Sequence, residues 1–335
     1  MGAYIARRLL LAVIVLIGMS LFVFIISHAV PGDPVRLASG PHAKAEQIES
    51  LRRELGFDKP LYVQYLIYMK GLLRGNMGIS VSTRRPVANE IFEFLPATIE
   101  LSIFALIISV VAGVVLGIIS AVKRNSVTDH VLRIVSLSGA SIPSFWLGLL
   151  LVLFFYKFLN ILPIAGRIAI GVNPPVKITG LYILDSILSL DWIAFKSSIA
   201  HIILPSLTLG YSSMGVFTRM ARSSVLEVLG ADYIRTARAK GLKERIVIYK
   251  HALRNAILPI LTLVGLQCAY LLGGTVLTET IFSWPGIGSY SVTAIMNLNF
   301  PAIMGVTLTI TTIFVLINLV TDLLYAAADP RIVYK

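Results

Sequence analysis

The sequence predicts an all-α membrane protein of six spans, and three observations predict it. Of 335 residues, 56% are hydrophobic and only 14% are charged. Mean hydropathy is +0.84, far from that of a soluble globular chain. Six mostly apolar runs reach the roughly 20 residues that a helix needs to cross the hydrocarbon of a bilayer.

The first run, "LLLAVIVLIGMSLFVFIISHAV", starts at Leu9, just after Arg7 and Arg8. It is too long for a signal-peptide core and ends in "PGDP" with no small-residue cleavage site, so it reads as an uncleaved span. The other expected spans are Ala97 to Val122, Leu132 to Phe158, Ile202 to Met220, Ala256 to Ile281 and Ala302 to Tyr325. The fourth is the least regular, because Pro205, Ser206 and Ser212 interrupt it. Residues 1–96 form a first span with an external helical region, including "AKAEQIESLRREL" and "LYVQYLIYMKGLL", and residues 97–335 form the core.

Short loops rich in Lys and Arg stay cytoplasmic. "VKRNSVTDHVLR" and the segment Arg219 to Arg254 are basic, whereas "FSWPGIGSYSVTAIMNLNFP" carries no charge. Both termini are therefore expected on the cytoplasmic side. The net charge of +12 belongs to such flanks and to contact with membrane lipid. Without a basic stripe interleaved with aromatics, no nucleic-acid partner is expected. The single cysteine, Cys268, excludes an intrachain disulfide and a cysteine-rich metal site.

The basic loop 226–255 carries the most information. Between Gly230 and Gly241, "ADYIRTARAK" is long enough for a short helix. Arg235 and Arg238 lie on one side of it, and Tyr233 and Ala237 on a neighbouring stripe. Gly241 suits a left-handed helix cap, after which "LKERIVIYKHALRNAILP" leads back into the membrane. Anchoring to acidic headgroups explains the charge, but small Ala237 and Ala239 beside a terminating glycine are better suited to docking on another protein.

"YIRTARAKGL" followed by "HALRNAILP" resembles the cytoplasmic coupling loop, or EAA loop, of ABC importer permeases in the peptide branch. "PGDP" at Pro31 to Pro34, "LGFDKPLYVQY" from Leu55, "LPATIELS" from Leu95, "SIPSFWLGLLL" from Ser141, "HIILPSLTLG" from His201 and "ETIFSWPGIG" from Glu279 extend the resemblance over nearly the whole chain. The chain is similar to the first membrane subunit of dipeptide, oligopeptide and nickel importers. The resemblance implies a type I ABC importer transmembrane domain, a homologous second permease, two ABC ATPase subunits and an extracytoplasmic substrate-binding protein. It implies no cofactor on this chain and no catalytic residue, with ATP and Mg on the partner ATPases. In agreement, no G-x-x-x-x-G-K-[ST] phosphate loop occurs.

On this resemblance the coupling element is Asp232, Tyr233, Arg235, Thr236, Ala237, Arg238, Ala239, Lys240, Gly241 and Leu242, with Arg235 and Arg238 free to pair acidic groups of the ATPase. Arg235 stands where other branches have the eponymous Glu, and "NLNFP" leaves the last external loop uncharged where many relatives resemble Arg-Asp-x-Pro. Peptide is the expected cargo, with nickel chelates and oligosaccharides open.

Ser138, Ser141, Ser144, Thr262, Gln267 and Tyr270 are candidates for a polar path, although small polar residues serve helix packing equally well. Gly113 and Gly117 read as packing residues, and Trp284, Pro285 and Gly286 as an external gate or a simple turn. An ion-coupled transporter should carry ionisable groups at the midplane. Glu100, Glu279 and Asp322 instead fall near span ends, where solvated or paired structural roles are expected. H-E-x-x-H is absent and the histidines are scattered, so neither a metal site nor an intramembrane enzyme is expected.

Overall fold

The structure is a computed structural model that describes residues 2–29, 34–39, 43–54 and 56–328. Pro31 to Asp33 of the "PGDP" motif, Leu55 and the residues after 328 lie outside the described residues. In chain order the helices are α1 (Gly2–Ala29), α2 (Pro34–Ser39), α3 (Ala45–Glu54), α4 (Leu61–Leu73), α5 (Val87–Val122), α6 (Val127–Ser141) and α7 (Ser144–Leu151). They continue with α8 (Tyr182–Leu188), α9 (Trp192–Leu229), α10 (Asp232–Ala239), α11 (Glu244–Ile246), α12 (Leu253–Gly274), α13 (Val276–Ile281), α14 (Ile287–Met296) and α15 (Phe300–Ala328). Wider π-type turns prolong α7 through Val152–Phe158 and join α11 to α12 through Val247–Ala252. No β-strand occurs among the described residues, where one isolated bridge pairs Ile79 with Pro86.

Four helical stretches are long and apolar enough to cross a membrane alone: Ala6–Ala29, Val87–Val122, Trp192–Leu229 and Phe300–Asp322. Two bent pairs, Val127–Ser141 with Ser144–Phe158 and Glu244–Ile257 with Pro259–Gly273, bring the number to six where each pair is counted as one span. Helices occur at all six expected places, with changed limits. The expected third span is broken by 107°. Pro143 disfavours the helical region for the residue before it, and Ile142 is extended at φ −80° and ψ 124°. The expected fourth span is instead one 38-residue helix, with Pro205 inside it. Ser206 donates to the carbonyls of Ile202 and Ile203 at 2.6 and 3.0 Å, supplying a donor on the turn where proline has none. The expected fifth span ends at Gly274, and Val276–Ile281 forms a separate helix.

The chain divides into two compact units, Met1–Thr98 with Pro285–Leu316, and Ile99–Trp284 with Ile317–Val333. In the first, Val87, Ile91, Ile287, Tyr290, Ala302 and Val306 form a buried apolar core. Buried Glu90 accepts hydrogen bonds from the hydroxyls of Thr83 and Tyr290, both at 2.6 Å. Asn299 of "NLNFP" is buried as well. Its amide donates to Ser80 Oγ at 2.8 Å and accepts from the Val81 N–H at 3.1 Å, tying down the loop before α5. In that loop, then, asparagine is a packing residue.

In the second unit, α9 is the axis against which α6, α7, α8 and α12 pack. Glycines permit the close approach. A Cβ at Gly113 would stand 2.5 Å from Phe217 Cβ, and one at Gly117 would stand 2.6 Å from Ala221 Cβ, so the G-x-x-x-G pair packs α5 on α9 as expected. Gly215 does the same for α6, since a Cβ there would fall 2.2 Å from the Ser136 carbonyl oxygen.

Candidate functional site

The loop between α9 and α12 folds as the spacing of its glycines predicts. α9 ends at Gly230, α10 follows, and Gly241 takes φ +75°, donating its N–H to Arg238 O at 2.9 Å. A left-handed residue at this place closes the helix and reverses the chain, and glycine meets no Cβ penalty there. α10 is amphipathic. Ile234 and Ala237 face inward, against Val247 and Ala252, with Val228 and Leu229 alongside.

This corrects the expected docking stripe at one position. Ala237 is only 8% exposed and belongs to the core of the loop itself, so its small size serves the packing of α10 on the turns before α12. Asp232, Tyr233, Arg235, Thr236, Arg238, Ala239, Lys240, Gly241 and Leu242 remain exposed. The expectation that Arg235 and Arg238 are free is also corrected. Arg235 pairs with Asp232 one turn earlier, and Arg238 pairs with Glu244 at 2.7 Å across the Gly241 turn. The hydrogen bond with Glu244 holds the Arg238 guanidinium above its ordinary pKa. Both pairs are solvent-exposed, and such pairs exchange readily for other partners. Asn255 Nδ2 donates to the Tyr233 hydroxyl at 2.7 Å, linking α10 directly to α12.

A cavity of about 370 Å³ lies among α6, α7, α9 and α12, at the break between Ser141 and Ser144. Of the residues proposed for a polar path, it brings together Ser144, Gln267 and Tyr270. The other three stand elsewhere. Ser138 spends its hydroxyl on Val135 O at 2.9 Å and on the Tyr211 hydroxyl at 2.7 Å, Ser141 donates to Leu137 O at 2.9 Å, and Thr262 is not on the wall. The structure adds Ser212 and Ser213 from α9. Ser212 read in the sequence as an interruption of a span, and Ser213 beside it was not singled out. No charged side chain lines the cavity among the described residues.

Of the expected gate or turn residues, Trp284 is buried within the chain. It is 1% exposed, and the Arg167 guanidinium carbon lies 5.7 Å from its ring centroid and 3.6 Å from that of Tyr182. Arg167 in turn pairs with Glu100 at 2.6 Å and donates to Gly180 O at 3.0 Å. Trp284 is thus a buried anchor, drawn inward by its apolar area and by a cation–π partner. Pro285 is exposed, and Gly286 is an extended residue before α14. Glu279 is fully buried and accepts from the Thr275 hydroxyl at 2.9 Å, so Glu100 and Glu279 have the partnered roles expected of them. No cluster of three metal-ligating side chains occurs among the described residues.

Helices of spanning length, one of them broken beside a neutral cavity, and a capped loop helix define a multi-pass helical transport subunit. Comparison with known proteins agrees. Residues 113–334 match the family described as "Binding-protein-dependent transport system inner membrane component", and residues 1–102 match its N-terminal companion. A dipeptide transport system permease from Alkalihalophilus pseudofirmus is 49% identical, with 100% of both chains covered. A probable D,D-dipeptide transport system permease from Escherichia coli K12 is 47% identical, covering 96% of this chain and 94% of that protein. A glutathione transport system permease from Escherichia coli O6:H1 is 41% identical over 99% of each. Among solved structures, an inward-facing MetNI methionine ABC transporter shares the fold with a TM-score of 0.51 at 16% identity, covering 70% of this chain and 93% of that one. The chain belongs to the family of binding-protein-dependent transport system inner membrane components. It is a multi-pass subunit of the inner membrane.

Proposed function

We propose that the chain forms half of the membrane channel of an ATP-driven importer that carries dipeptides or other short peptides delivered by an extracytoplasmic binding protein. The observation that carries this reading is near-full-length identity of 42–49% to permeases named for dipeptide transport. Both termini and the α9–α12 loop lie on the cytoplasmic side in this reading, as the Lys and Arg of the short loops favour. A second, homologous permease completes the channel.

Energy comes from two partner ATPases, which hold ATP and Mg. Exposed Tyr233, Thr236 and Ala239 on α10, with Leu242 just after the Gly241 turn, supply the docking contact, while buried Ile234 and Ala237 keep the helix rigid, so that movement of the ATPase reaches α9 and α12 without being absorbed in the loop. Arg235 and Arg238 exchange their exposed intrachain partners for acidic groups on the ATPase.

The test is reconstitution of the chain with its partner permease, ATPases and binding protein in liposomes, followed by uptake of a radiolabelled dipeptide. ATP-dependent uptake that requires the binding protein supports the proposal. Uptake of a nickel chelate or an oligosaccharide with no dipeptide uptake overturns the cargo, and an assembly that retains no ATPase overturns the mechanism.

A further inference from the structure

At the cavity by the α6–α7 break, several polar groups have no hydrogen-bond partner within the chain. On α9, Ser206, Thr208 and Thr218 each donate to the carbonyl four residues back, at 2.6, 2.9 and 2.9 Å. That is how a hydroxyl in an apolar span is ordinarily satisfied. Ser212 and Ser213 on the same helix, and Ser144 across the break, face the cavity and make no such bond. Opposite them stands Gln267. Gln267 lines the cavity, and its Oε1 is shielded from solvent and accepts no hydrogen bond. An acceptor left in that state keeps its desolvation penalty uncompensated. The terminal amide torsion of glutamine is broad, and a half-turn about it exchanges the positions of Oε1 and Nε2.

We infer that this cavity is a transient station for the transported peptide, in which the rotated Gln267 Oε1 accepts the peptide-bond N–H and the hydroxyls of Ser144, Ser212 and Ser213 donate to its carbonyls. The inference rests on the peptide reading and deepens it. Three features select this ligand class. The volume of about 370 Å³ corresponds to roughly a dozen waters, the scale of a short peptide. The lining carries no charge, so it offers no fixed counter-ion to any one side chain, and recognition falls on the backbone that all peptides share. The helix break supplies the irregular backbone that membrane proteins tolerate only inside protein or beside a polar cavity.

The experiment compares ATP-driven uptake of alanyl-phenylalanine with that of its depsipeptide, in which an ester oxygen replaces the amide N–H. Wild-type and Gln267→Met complexes are used with the same binding protein. Any preference of the binding protein enters both complexes equally and cancels in the ratio of ratios. The expected result is an amide-to-ester preference that falls about five- to tenfold in Gln267→Met, the worth of one hydrogen bond, with ATPase stimulation by loaded binding protein retained. If Gln267→Met does not assemble, Gln267→Asn withdraws the oxygen by one methylene and is expected to lower the same ratio. An unchanged ratio in an assembled variant overturns the inference while leaving peptide import intact. Absence of uptake of either compound by the wild-type complex overturns both.

Discussion

The Glu100–Arg167 pair sets a measurable asymmetry between removing one charge and removing two. Glu100 and Arg167 are 4% and 7% exposed and meet at 2.6 Å. Glu100 Oε1 also accepts the Ile183 N–H at 2.8 Å, and Arg167 donates to Gly180 O and lies over the Tyr182 ring. Truncating one partner strands a buried charge, which costs about 3–5 kcal/mol. Glu100→Leu and Arg167→Met are each expected at that level, and additivity would put the double variant near 6–10 kcal/mol. With both charges gone, the stranded-charge penalty disappears, and what remains is chiefly the two orphaned backbone groups, about 1–3 kcal/mol each, a cost that the single variants also carry.

The double variant should therefore lie at least about 3 kcal/mol below the sum of the singles. Reversible unfolding in mixed micelles reports this through Trp284, because it is buried beside the pair while Trp146 and Trp192 are exposed and replaceable by Phe. Single variants that add to within about 0.5 kcal/mol would refute the reasoning, since independent sites behave that way.

Gly215→Ala should destabilise the chain by about 1–3 kcal/mol through the clash with Ser136 O. Gly273→Ala, with nothing within 4 Å of its new Cβ, should be neutral or stabilising by up to about 1 kcal/mol, and thermal unfolding of the two variants compares them. Asp185 carries an acid-sensitive contact: burial pushes its pKa up, but hydrogen bonds from Thr179, Gly180 and Ile178 outweigh that and hold it below 3.8. Its contribution to stability is fully present above 3.8 and is lost as pH falls through the lower folded value. Amide exchange at Ile178, Thr179 and Gly180, corrected for intrinsic rates, should accelerate below that range in the wild type, and Asp185→Asn should abolish the pH dependence. A flat wild-type profile would contradict the assignment.

Much of this architecture is written in local patterns. Apolar runs marked the spans because a bilayer demands length and composition from each helix separately. The break at Pro143 fell inside a run read as one continuous span, whereas Gly113 with Gly117 marked a close contact, because glycine acts through its own backbone. The Gly230 to Gly241 interval marked α10 for the same reason. What stayed hidden depends on partners distant in sequence. Trp284 read as part of an external gate or a simple turn because nothing near it announces Arg167, and Ala237 read as a docking residue because Val247 and Ala252 cover it only after the chain reverses at Gly241. Ser212 and Ser213 acquire meaning only when α6 and α12 bring Ser144 and Gln267 opposite them.

The account stands most directly on whether α10 docks through its exposed face. Ala239→Glu changes an exposed position and Ala237→Glu a buried one, so co-purification of each variant with the ATPases, alongside the protease resistance of the loop, separates docking from folding. The prediction is that Ala239→Glu keeps a wild-type digestion pattern while losing most of the bound ATPase, and that Ala237→Glu loses both. Full ATPase retention by Ala239→Glu would contradict the account.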